Sequence, residues 1–197
     1  MKLKLMSIPV VLYPYVFIPV FIAALFVGKY TIEFMEFANV ETLLAEKIGV
    51  GAIVVSIIVY NILTFIWAIA LTACMISGKF TLDDIAKANM MVKFLHIPAY
   101  LFNFALGLIG SILGVFGIGF ILWAVLADMI TIALSGIVSF GFAVRAIKEK
   151  ELPTVEGIIL AIGSFIYCVD IVLAVTYKNK ILQRSNPMNK QPAVGHM

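Results

Sequence analysis

Polar residues in this chain are confined to short intervals between five long apolar stretches, roughly residues 8–28, 49–76, 94–114, 118–144 and 155–177. As a helix, each stretch is long enough to cross a hydrocarbon core of ~30 Å. The runs are continuous and do not alternate every second residue, which excludes a membrane β-barrel. An open sheet is excluded because lipid offers no hydrogen bonds to its edges. The pattern predicts an all-α fold, a polytopic transmembrane helical bundle of about five spans, forming one membrane domain over residues 1–197.

Within the spans, residues of other types punctuate the pattern. Pro9, Pro14 and Pro19 recur every five residues in the first span. Ser7 before Ile8-Pro9 suits a helix start, whereas Pro14 and Pro19 each remove an internal hydrogen bond and are expected to kink the helix. Asn61, Thr64 and Trp67 fall at helical spacing in the second span and are expected to bond to neighbouring helices. Gly107, Gly110, Ser111 and Gly114 make a small-residue face in the third, where another helix can approach closely. Gly117 and Gly119 then mark a tight turn, so spans three and four are expected to form an antiparallel hairpin.

Between the first two spans, Glu33, Glu36, Glu41 and Glu46 alternate with Ile32, Phe34, Phe37, Leu43 and Leu44, predicting an interfacial helix over about 31–47. Thr81-Leu82-Asp83-Asp84 reads as a helix start, with Thr81 as N-cap and acids in the first turn. The text from Gly78-Lys79-Phe80-Thr81 through Lys93-Phe94-Leu95-His96-Ile97-Pro98-Ala99-Tyr100, together with the opening Leu5-Met6-Ser7-Ile8-Pro9, resembles an uncharacterised family of small polytopic membrane proteins of Gram-positive bacteria with no assigned function. The resemblance implies a multi-pass protein of a bacterial plasma membrane and nothing about chemistry.

Composition sharpens this reading: 63% of the 197 residues are hydrophobic and only 13% charged, about half the usual charged fraction of a soluble domain. Cys74 and Cys168 lie inside apolar runs without metal-type spacing and read as small buried residues. The net charge of +3 sits at span ends and gives no case for nucleic acid. With five spans, Lys2, Lys4, Lys79, Lys87, Lys93, Arg145, Lys148 and Lys150 share one side, and Lys29, Lys47 and the basic residues of the 178–197 tail share the other. That balance predicts a cytoplasmic N-terminus and an external C-terminus.

Asp128 and Asp170 are the ionisable residues that this reading places well inside a span, with no lysine or arginine there to compensate them. An ionised carboxylate at that depth costs ~2.5–3.5 kcal/mol on insertion scales. If spans four and five form a hairpin, the two aspartates share one depth. Thr131, Ser135 and Ser139 follow Asp128 at helical spacing, and Tyr167 and Ser164 lie near Asp170, predicting a polar seam between spans four and five. The seam serves either as a proton or small-cation site built from Asp128, Asp170, Thr131, Ser135 and Tyr167, or as structural hydrogen bonding.

Membrane aspartyl proteases carry Gly-x-Gly-Asp and Tyr-Asp, whereas this chain reads Val125-Leu126-Ala127-Asp128 and Tyr167-Cys168-Val169-Asp170, so no catalytic residue is assigned. His96 lacks a second ligand and reads as a hydrogen-bonding residue; no metal or cofactor is expected. The function expected is a transporter- or channel-like bundle. That bundle is expected to be a homo-oligomer; the alternative is a structural or accessory subunit that binds another membrane protein through the Gly107/Gly110/Gly114 face. An intramembrane hydrolase ranks third.

Overall fold

The computed structural model describes residues 2–38, 40–166 and 169–185, and every regular element among them is helical. The helices are α1 (Lys2–Met6), α2 (Ile8–Phe37), α3 (Thr42–Ile76), α4 (Leu82–Ile112), α5 (Ile118–Lys148), α6 (Thr154–Gly163) and α7 (Val169–Ser185), with one 3-10 turn at Gly114–Gly117. The all-α bundle expected from the sequence is therefore the fold observed. Four helical stretches, Lys2–Phe37, Thr42–Ile76, Leu82–Ile112 and Gly114–Lys148, are long and apolar enough to cross a membrane. The bundle's outer surface fits that solvent: Val54, Ile58, Ile62, Leu63 and Ile66 of α3 are all exposed, while Asn89, Lys93 and His96 are buried.

The first correction concerns residues 31–47. A separate interfacial helix does not form. Helix α2 continues to Phe37 and α3 begins at Thr42, so this polar text is the joined ends of two long helices. At 30 and 35 residues they measure ~45 and ~52 Å, well beyond one hydrocarbon core. Gly28 and Gly49 let them cross closely, because a Cβ on either would run into Ile53 or Ile32 of the other helix. Ser7 does not cap α2; its hydroxyl donates to the Leu3 carbonyl at 3.0 Å.

Thr81 does cap α4, accepting from the Asp84 N–H at 3.2 Å, and Lys87 pairs with Asp83 at 2.6 Å. No break follows before the apolar run, so the 82–93 segment and the third span are one helix. Helices α4 and α5 form the expected antiparallel hairpin. At its turn the backbones of Gly110 and Gly117 nearly touch, and Gly114 adopts φ +60°, a conformation that favours glycine. Gly107 faces Ala124 of α5, and Ser111 is exposed with its hydroxyl on the Gly107 carbonyl. Gly107 and Gly110 thus pack against this chain's own α5.

The second correction concerns the fifth apolar stretch. Helix α6 stops at Gly163 and α7 starts at Val169. In one continuous helix Glu156 and Lys180 would stand ~36 Å apart. Instead their side chains meet at 2.5 Å, and Leu173 packs over Gly163. Helices α6 and α7 therefore run antiparallel, as a hairpin that enters the bundle and returns to the same end. Ten residues of α6 reach ~15 Å, half the thickness of a hydrocarbon core. Among the described residues, four long helices and one half-depth hairpin stand where five spans are expected, and α7 ends on the side that holds Lys2, Lys79 and Lys148, whereas five full spans would put its end on the opposite side. Non-spanning backbone at such depth is tolerated only where protein or a wet cavity surrounds it; here α4 and α5 flank it.

Candidate functional site

On α4, Asn89, Lys93, His96, Tyr100 and Asn103 recur at spacings of four and three, which puts them on one face of the helix. All five are buried. This stripe faces three neighbours in turn, and each contact answers a specific chemical need.

Lys93 is fully buried and lies ~16 Å along α4 from Leu82, level with the hairpin tip. Its ammonium has three N–H donors and meets three acceptors: Asp170 Oδ2 at 3.0 Å, Ser135 Oγ at 2.9 Å and the Ser164 carbonyl at 3.2 Å. The hairpin supplies two of them because it is broken. Ser164 caps the C-terminus of α6, where carbonyls lack helical partners and the helix dipole favours a cation. Asp170 sits in the first turn of α7, where the dipole favours an anion, and its Oδ1 accepts from the Ile171 N–H at 2.8 Å. Lys93 thus compensates Asp170, which overturns the expectation that no cation lies within the spans.

One turn to either side of Lys93 the stripe carries unmet demand. Asn89 Oδ1 accepts from Ser139 Oγ at 2.7 Å, but the Asn89 amide nitrogen has no partner. His96 Nε2 lies 3.1 Å from the Val10 carbonyl, which makes it the protonated nitrogen and leaves Nδ1 an acceptor without a donor. The Val10 contact follows from Pro14. Proline has no N–H to give the carbonyl four residues back, so α2 exposes an acceptor where His96 can reach it. The Tyr15 hydroxyl of α2 donates to the Leu95 carbonyl of α4, one residue beyond the carbonyl that Pro98 leaves without a helical donor. Both helices continue through their prolines. Replacing His96 with Phe is expected to lower stability by about 1–3 kcal/mol, the cost of a stranded buried acceptor. Adding Pro14→Ala is expected to recover part of it by restoring the donor; thermal unfolding of the two variants checks both.

Asn103 lies ten residues beyond Lys93, ~15 Å farther from the hairpin's entry end. Its amide donates to Asp128 Oδ1 at 2.7 Å. The two aspartates therefore occupy different levels and different partnerships, and the shared depth expected from loop counting does not hold. A two-aspartate hydrolase has no geometry here. Asp128 and Asn103 line an open cavity of about 310 Å³ with Phe104, Gly107, Ser111 and Ala124.

Of the remaining predicted site residues, Ser135 joins the Lys93 cluster, while Thr131 is buried with its hydroxyl on the Ala127 carbonyl. Tyr167 and Cys168 lie outside the described residues. The polar seam lies between α4 and α5 and reaches the hairpin only at Lys93; Lys93, Asn89 and Asn103 are the residues that sequence reading missed. In α3, Asn61 accepts from the Tyr13 hydroxyl at 2.7 Å and the Trp67 indole donates to the Met6 carbonyl at 2.9 Å, as expected, but Thr64 bonds its own helix at Tyr60. No group of residues suited to a metal occurs among the described residues. No family model, no curated protein and no solved structure matches the chain.

Proposed function

We propose that this membrane protein is a small transporter- or channel-like unit of a bacterial plasma membrane, conducting protons or a small cation. The observation that carries the reading is the half-depth α6–α7 hairpin, whose broken tip is latched to Lys93 by a fully buried ion pair. Half-helices whose ends meet at mid-depth are how many transport proteins place charge in a membrane. In this reading the Asp128–Asn103 cavity is the outer binding site, and the Lys93–Asp170 pair is the barrier that a passing proton or cation must unsettle. The unmatched Asn89 donor and His96 acceptor beside Lys93 support this assignment, since each is a polar group that water or a second arrangement would satisfy.

The hairpin supports an orientation. With α7 returning, Lys2, Lys4, Lys79, Lys87, Arg145, Lys148, Lys150, Lys178 and Lys180 share one end, nine cations among the described side chains against Lys29 and Lys47 at the other. The nine belong in the cytoplasm. The bacterial setting rests on the resemblance of residues 78–100.

The test is flux. Purified protein in vesicles with an entrapped pH-sensitive dye and an imposed membrane potential is expected to pass protons faster than empty vesicles do, or sodium when that ion is supplied instead. Asp128→Asn keeps a partner for Asn103 but removes the charge, and is expected to return the flux to the empty-vesicle rate. Wild-type flux equal to that of empty vesicles for every cation tried would refute the reading.

A further inference from the structure

A second cavity lies at the basic end, away from the polar stripe. It holds about 470 Å³ and is lined by Lys2, Lys4, Leu5, Ile8, Val11, Met91 and Leu95; its walls are almost wholly apolar, so the two lysines border this groove between the N-terminal segment and α4 with their hydrocarbon stems. The segment over residues 2–7 is held in three ways. Leu3, between the two lysines, is buried at 3% exposure. The Ser7 hydroxyl holds the Leu3 carbonyl, and the Trp67 indole of α3 holds the carbonyl of Met6. Lys2 and Lys4 are therefore presented from a fixed segment. Both are exposed, and neither pairs with an acid among the described residues.

We infer that this groove binds one anionic phospholipid, its headgroup among the exposed Lys2 and Lys4 side chains at the basic end and one acyl chain along Ile8, Val11, Met91 and Leu95. Charge complementarity selects this occupant. Two cations without partners call for an anion, and the apolar groove below them calls for hydrocarbon; a phospholipid offers both in that order along the membrane normal. A free phosphate would leave the groove unused, and a zwitterionic lipid would bring its own cation to the lysines. Each lysine near an anionic headgroup strengthens binding by roughly fivefold, so two give about 25-fold. The inference is independent of whether the protein conducts ions.

The experiment titrates the full-length protein, in neutral detergent, with phosphatidylglycerol or phosphatidylcholine of identical acyl chains, and counts bound lipid by native mass spectrometry. The first phosphatidylglycerol is expected to bind about 25-fold tighter than the first phosphatidylcholine. Lys2→Gln with Lys4→Gln should erase that preference while leaving thermal unfolding unchanged, since both side chains are exposed. Leu95→Trp should fill the groove and weaken both lipids without altering charge. Equal affinity for the two lipids would overturn the site. So would a preference that survives the double lysine variant, or inorganic phosphate competing as well as the lipid does.

Discussion

Lys93→Met is expected to destabilise the protein by about 3–5 kcal/mol, the cost of removing one partner from a buried ion pair. Asp170 would then stand buried with Oδ2 facing no cation, because Lys93 is its one charged partner among the described residues. The Ser164 carbonyl and Ser135 hydroxyl would lose the same donor. For a chain of this size the loss corresponds to a melting-temperature drop on the order of 10 °C, read by circular dichroism in detergent. The double variant, Lys93→Met with Asp170→Asn, removes both charges together and keeps an acceptor for the Ile171 N–H. It should melt well above the single variant, since replacing both members of a buried pair is far milder than stranding one. Were Lys93 merely reaching toward the membrane surface, the single variant would melt like the wild type, and the latch would be refuted.

The same pair explains why part of the fold was legible and part was not. The four long helices follow from apolar length alone, and the Thr81 cap and the glycine-rich turn at 110–117 mark two boundaries by local chemistry. The fifth stretch passes the same length test, yet it folds as a hairpin. The end of α6 at Ser164 is held by Lys93, a residue more than seventy positions away, and no local pattern carries that information. A signal did exist on α4, where Asn89, Lys93, His96, Tyr100 and Asn103 keep one face. Ending the apolar run at residue 94 assigned Lys93 to a loop and cut the stripe in two. The interfacial helix was misread for a related reason: acidic residues at the ends of two long helices look the same in sequence as a separate amphipathic one. For Asp128 and Asp170, a depth counted from one loop assumes a straight fifth helix. Once that helix folds back, the two acids separate, one to Asn103 and the other to Lys93.

The returning hairpin is the claim on which orientation, the latch and the proposed route all depend, and its topology can be read directly. With Cys74 and Cys168 replaced, single cysteines are placed at Lys148, Asn179 and Lys47, and sealed, uniformly oriented vesicles are treated with a membrane-impermeant maleimide. Lys148 and Asn179 are exposed and belong to the same end of the bundle, while Lys47 is exposed at the opposite end. The account predicts that Asn179→Cys and Lys148→Cys label from the same side and Lys47→Cys only from the other. Labelling of Asn179→Cys together with Lys47→Cys would mean a fifth helix crosses the bilayer, and would contradict the hairpin.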